Sequence, residues 1–326
     1  MVKIIGGSGF VGSFLIKELI KTHDIQNFDK NNSPFFGDIT EIGNILNKNE
    51  LIFDKSIKTI ILLAAEHRDD VSPTSLYYDV NVKGIKNVLD AMDNANIKNI
   101  IFTSSVAIYG MNKPNPNENF SPNPFNHYGK SKWKAELVLK EWFQKDSKNK
   151  SVTIIRPTVI FGERNRGNVY NLFNQVSSGK FIMIGEGYNK KSMAYVGNVV
   201  AFIKNRLNSN DLGFNVFNYS DKPDYSMTQL VNAIQRKMNI KLPKIHVPYW
   251  LGICGGYFFD FIAYVFKKKL FISSIRVKKF CATTQFNSSK AHKIFKAPYT
   301  LEEGINKTLE HEFINPKQDD ILFFSE

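Results

Sequence analysis

Val2-Lys3-Ile4-Ile5-Gly6-Gly7-Ser8-Gly9-Phe10-Val11-Gly12 opens the chain. A short apolar run enters a glycine-rich turn, and Phe10, Phe14, Leu15 and Leu19 then recur at helical spacing. The order is strand, turn, helix. Gly9 lets backbone come close to a pyrophosphate, and Gly12 lets helix and strand pack. The helix N-terminus keeps amides free for phosphate oxygens. A second strand, Ile25 to Phe28, ends at Asp29, about twenty residues past the turn, where a carboxylate can take ribose hydroxyls. The same carboxylate repels a 2′-phosphate, so NAD is expected over NADP, a preference softened by Lys30. Gly6, Gly9, Phe10, Val11, Gly12 and Asp29 are therefore candidate cofactor contacts.

Outward from this turn the chain alternates. Asp38-Ile39 follow a short strand and either line an adenine or end a polar loop. Thr59 to Leu63 is continuously apolar, as in a parallel strand covered on both faces. It ends at Ala64-Ala65, small enough for the cofactor to pass. Glu66-His67-Arg68-Asp69-Asp70 comes next, at the strand end that faces ligands in open α/β sheets. A solvated loop has the same composition. Tyr78, Val82, Ile85 and Leu89 mark one helix face, with Asn81 near its start. Asn99 to Thr103 is another buried strand and delivers Ser104 and Ser105. The loop from Met111 to Asn126 carries four prolines and is long enough to cover a site. Val152 to Ile155 then runs into Arg156-Pro157. This alternation predicts an α/β fold: a doubly wound parallel sheet of the Rossmann type over residues 1–164, with segments near 192–218 returning to it. A smaller substrate-binding domain occupies 165–326.

Ser105 and Tyr128-Gly129-Lys130-Ser131-Lys132 carry the chemistry. Tyr128 and Lys132 are four apart and share a helix face. An ammonium beside a phenol favours the phenolate, which turns a poor acid/base into a usable one. Ser105 can hydrogen-bond the same reacting oxygen. Proton exchange at an alcohol or ketone suits such a trio.

The chain has 326 residues, enough for a sizeable core, and a formal charge of +13. That excess suggests an anionic partner: nucleic acid, phosphorylated substrate or acidic lipid. Two cysteines and six histidines show no ligand spacing, so no metal is expected. No signal segment precedes the first strand, which predicts a cytoplasmic location.

These motifs resemble the extended short-chain dehydrogenase/reductase family across nearly the whole chain. Gly6, Gly9 and Gly12 match its glycine signature, and Ser105, Tyr128 and Lys132 its catalytic trio. Arg156-Pro157-Thr158, Lys191-Ser192-Met193-Ala194-Tyr195-Val196 and Leu301-Glu302-Glu303-Gly304-Ile305 match later segments. The resemblance implies NAD as cofactor, with Asp38, Ile39, Ala64, Ala65, Asn81, Tyr128, Lys132 and Pro157 joining the contacts above. It also implies a homodimer through two helices, one carrying Tyr128. Val106 and Ala107 stand where 4,6-dehydratases carry Asp-Glu, and Ala107 where 3,5-epimerase/reductases carry Cys, so redox chemistry at one carbon remains. Val159 replaces an Asn with which UDP-sugar 4-epimerases contact the nucleotide. Residues 64–73 and 161–170 are similar to the branch of 4-epimerases that act on N-acetylglucosaminyl-diphospho-undecaprenol in O-antigen synthesis. That likeness implies a polyprenyl-diphosphate-linked N-acetylhexosamine and no nucleic acid. Glu66, Arg68, Arg166, Asn168 and Lys191 are the candidates for sugar or diphosphate, although exposed surface residues would read the same. A soluble UDP-N-acetylglucosamine 4-epimerase and a 4-keto-reductase are the competing readings.

Tyr249 to Phe266 is apolar apart from glycines and Asp260, and Lys267-Lys268-Lys269 follow. It reads as a buried helix of the small domain or as a helix lying in a membrane interface, lysines at the headgroups. The polyprenyl resemblance favours the second, with the protein peripheral on the cytoplasmic face of the inner membrane.

Overall fold

A computed structural model describes residues 1–324 except 69, 70, 112, 210, 244 and 267–272. The lysine run 267–269 and the acidic pair Asp69-Asp70 therefore lie outside the described residues. Seven parallel strands form one sheet: β1 (Val2–Ile5), β2 (Ile25–Asp29), β3 (Thr40–Ile42), β4 (Thr59–Leu62), β5 (Asn99–Thr103), β6 (Ser151–Pro157) and β7 (Gly213–Tyr219). Their spatial order is β7-β6-β5-β4-β1-β2-β3. The order reverses between β1 and β4, and ligands bind outside the carboxyl ends of strands at such a switch point.

Period-two alternation explains why both sheet faces are apolar. Ile4, Ile61, Ile101 and Ile155 point to one core, shared with α1 (Phe10–Leu19). Ile5, Ile60, Ile100 and Ile154 point to the other, shared with α2 (Ile85–Asn94) and α3 (His127–Gln144). The first core continues through α4 (Asn168–Ser177), α5 (Val196–Leu207) and α6 (Met227–Met238). After α7 (Tyr249–Phe266) and α8 (Ser274–Cys281), it closes on α9 (Leu301–Leu309).

Two expectations change here. Gly213–Tyr219 joins the main sheet, but among the described residues Met193–Tyr195 pairs with Val159–Phe161 and not with that sheet. The turn after β7 holds it there: Asp221 N donates to the Met193 carbonyl at 2.8 Å, and the Asp221 carboxylate accepts from Tyr195 N at 2.7 Å. The 111–126 loop does not cover the site. Among its described residues, Pro116 O accepts from Asn287 N at 3.1 Å and Glu118 O from Arg156 at 3.3 Å, which fastens the loop beside β6 and β7.

Helix α7 packs inward through two of its glycines and Asp260. Gly252 packs on Ile184, Gly256 on Ser274, and Asp260 accepts from Ser274 N at 3.1 Å. Its bulky side chains face out: Phe258, Phe261 and Tyr264 are 61%, 64% and 83% exposed.

Candidate active site

A cavity of about 1970 Å³ runs from the glycine turn, along the carboxyl ends of β1, β4 and β5, to α8. At one end Gly6 sits at φ +90°, where any side chain would meet the Ala64 backbone. A Cβ on Gly12 would press into Gly7, so the helix seats on the turn only without one. Gly9 caps α1 with no side-chain hydrogen bond. The Asp29 carboxylate accepts from Ser8 N and Asn31 N, both at 3.0 Å, and lines the cavity. Phe10, Val11, Ala64, Ala65 and Pro157 line it too. This cradle and its ribose-side acid fit a dinucleotide.

Asp38 and Ile39 do not line the cavity. They form a turn (Gly37–Ile39) before β3, at the amino end of that strand. The residues after β3, Gly43 to Leu46, take that wall instead. Asn81 is likewise off the wall. It is buried in a π-turn (Asp79–Gly84), donates to Glu66 O at 2.9 Å and Ser131 Oγ at 2.8 Å, and accepts from Glu66 N.

The trio sits mid-cavity. Asn126 caps α3 by accepting from Gly129 N at 2.9 Å, which puts Tyr128 in the first turn. Ser105 follows β5, lines the same cavity as Tyr128, and its hydroxyl accepts from Ala107 N at 3.1 Å. Lys132 is buried and donates from Nζ to Thr103 O at 2.9 Å. Burial, rather than the ammonium, governs the phenol: it is pushed up to about 12, against a smaller lowering by Ser105. Burial brings Lys132 down to about 7, with Glu136 opposing. The expected depression of the Tyr128 phenol by Lys132 is thus replaced by a phenol raised to about 12 beside an amine lowered to about 7.

Beneath them lies a buried network. Glu136 accepts from Arg156 Nε at 3.0 Å and Nη2 at 2.6 Å, and from Ser104 Oγ. Arg156 also donates to Tyr109 Oη at 2.6 Å.

Of the substrate candidates, four reach the cavity. Glu66 and Arg68 pair with each other in a two-pronged contact at 3.1 and 3.2 Å. Burial pushes the Glu66 carboxyl up, but Arg68 outweighs it and leaves the group below its usual range. Asn168 begins α4. Lys191 donates to Lys279 O at 2.8 Å and Ala282 O at 2.6 Å, holding the end of α8, and burial brings it down to about 8. Arg166 does not line the cavity. It pairs with Glu312 and lies 3.9 Å over the Tyr170 ring, facing the C-terminal helices. Sequence reading missed Lys180, Arg276 and Lys279, which bring positive charge to the far end beside Ile184, Val247 and Phe280. It also missed Leu322 to Phe324, which reach the wall from the last described strand.

The family pattern "NAD dependent epimerase/dehydratase family" matches residues 2–219. The chain belongs to that family. NAD is the cofactor of that family. The chain is 57% identical to the N-acetyl-alpha-D-glucosaminyl-diphospho-ditrans,octacis-undecaprenol 4-epimerase of Escherichia coli O157:H7, over 100% of this chain and 99% of that protein. It is 27% identical to the UDP-glucose 4-epimerase of Vibrio cholerae, covering 94% of each. In fold it is similar to the UDP-glucose 4-epimerase of Thermotoga maritima with UDP-glucose, at TM-score 0.72 and 19% identity, covering 95% and 97%.

Proposed function

We propose that this protein interconverts N-acetylglucosamine and N-acetylgalactosamine at C4 while the sugar is carried on diphospho-undecaprenol. The full-length 57% identity to an enzyme of that name carries the reading. The cavity's far end supports it, since cationic Lys180, Arg276 and Lys279 beside apolar Ile184, Val247 and Phe280 suit a diphosphate joined to a hydrocarbon.

Gly6, Gly9, Gly12, Phe10, Val11, Asp29, Ala64, Ala65 and Pro157 would hold the cofactor. When bound, NAD supplies the hydride acceptor and, oxidised, a positive ring of the kind that favours a nearby phenolate. Tyr128 takes the proton from the sugar 4-hydroxyl and later returns it. Ser105 hydrogen-bonds both the phenol and the reacting oxygen, keeping the two aligned. Lys132 would hold the nicotinamide ribose and keep a proton available at the phenol. The 4-keto sugar must present its other face before reduction, so the protein grips the diphosphate and leaves the hexose loose.

The test is turnover with no added nucleotide. N-acetylglucosaminyl-diphospho-undecaprenol should epimerise, and Tyr128→Phe should slow this by at least about a hundredfold. Preference for UDP-N-acetylglucosamine, or a stoichiometric demand for NADH, would refute the reading.

A polyprenyl-linked substrate supports a site of work at the cytoplasmic membrane face. The outward aromatics of α7 support docking there on anionic lipid, apolar side down. Flotation with phosphatidylglycerol vesicles should be lost in Phe258→Glu/Phe261→Glu; unchanged flotation would refute it. Homodimerisation through α3 is part of the same reading, supported by the exposed Leu137 on that helix. Light scattering giving a single-chain mass would count against it.

A further inference from the structure

The last described residues return across the molecule to the cofactor end of the cavity. Phe323–Phe324 pairs in parallel with Asn165–Arg166, and Phe323 N donates to Arg164 O at 2.8 Å. The root of this segment is an ionic knot. Asp320 accepts from Arg164 Nε at 2.7 Å and pairs with His311 Nε2 at 2.6 Å, while Arg164 N donates to Glu312 at 2.6 Å. Arg164 holds φ +71°, a conformation a non-glycine residue keeps only when its surroundings over-determine it.

From that root the chain reaches the opposite wall. The Phe323 ring lies 6.1 Å from Phe10 and 6.4 Å from Phe35. Phe10 is the first residue of α1, directly after the glycine turn. Phe35 belongs to the loop after β2, a few residues beyond Asp29, and the Arg164 guanidinium lies 4.9 Å over its ring. Leu322, Phe323 and Phe324 line the same cavity as Gly9, Phe10 and Asp29. Phe323 therefore packs on the residue that follows the glycine turn, while Asp320, Phe323 and Phe324 tie the segment to residues 164–166.

We infer that residues 320–324 form a clasp across the dinucleotide crevice, with Phe323 as the positioning residue that slows escape of bound NAD. A cofactor that is restored at every turnover gains from staying bound. A ring seated between Phe10 and Phe35 must leave both before the phosphate end can open to water. Asp320 and Arg164 keep the segment rooted while the ring swings. The inference rests on the dinucleotide cradle and holds whichever sugar is the substrate.

The test uses full-length protein loaded with NADH and followed by loss of bound-nucleotide fluorescence on dilution into excess NAD. Phe323→Ser should release NADH about tenfold faster, the scale of one aromatic contact, and Phe323→Leu should fall between it and wild type. Asp320→Asn, which loosens the root, should also speed release. Melting of the nucleotide-free protein should move little in Phe323→Leu. Release within twofold of wild type for both Phe323 variants would overturn the clasp. So would a drop in nucleotide-free melting with release unchanged, since that marks a purely structural role. Failure of the lipid-linked assay with these release rates as expected would refute the substrate and leave the clasp standing.

Discussion

Lys132 Nζ donates to the Thr103 carbonyl at 2.9 Å, joining the helix that carries Tyr128 to the strand that delivers Ser105. The ammonium is thereby desolvated among Phe102 and the strand end, its nitrogen 4.7 Å from that ring. Its pKa falls from the ordinary 10.5 to about 7. Between those values the unfolded chain binds the extra proton and the folded chain does not, so this residue makes stability rise with pH. Its contribution is complete above about 10.5 and is lost as pH falls toward 7. Urea unfolding at pH 7.5 and pH 9 should show wild type gaining about 1–2 kcal/mol more than Lys132→Met. Equal gains would show that Lys132 is not desolvated as described.

Asn81 is tied to the helix that carries Tyr128 and does not line the cavity. Its amide bonds Ser131 Oγ, and Ser131 donates to the Tyr128 carbonyl at 2.8 Å. Asn81→Ala leaves buried groups unpaired, at about 1–3 kcal/mol of stability. The expected kinetic result is a kcat lowered about tenfold or more with KM changed only a few-fold. A rise in KM alone would contradict a positioning role.

Glu136 and Arg156 are 3% and 5% exposed and satisfy each other through two hydrogen bonds. Removing one partner strands a buried charge, so Glu136→Met or Arg156→Met should each cost about 3–5 kcal/mol. The double variant should recover part of that loss. A double-mutant cycle with no coupling would refute the pair's role.

Gly6→Ala forces a side chain into the Ala64 backbone at a positive φ. NAD affinity should fall by more than about tenfold, since the turn must shift away from the phosphates. Calorimetric titration with NAD checks it, and unchanged affinity would show that the turn can relax.

Much of this was readable from residues alone. The glycine turn and the Tyr128–Lys132 pair sit on short-range patterns, where spacing fixes geometry, while Asp29 and Ser105 were placed by the strand ends they follow. Asp38-Ile39 misled because β3 is only three residues long and begins after them, so an apolar neighbour was mistaken for the preceding strand. Arg166 misled because local charge says nothing of Glu312, nearly one hundred and fifty residues away, which claims it. The phenol's shift misled because desolvation depends on the whole surrounding core, which no four-residue spacing reveals. Leu322 to Phe324 gave no signal, because they hold only a two-residue strand, Phe323–Phe324, whose partner lies at Asn165–Arg166.

The clasp has a consequence for how the protein is made. The crevice is lined by residues as early as Ile5 and as late as Leu322 to Phe324, so residues 322–324 must be synthesised before tight cofactor capture is possible. Nascent or C-terminally clipped chains should fold their sheet yet leave purification stripped of nucleotide. Bound NAD per polypeptide then becomes a gauge of intact product.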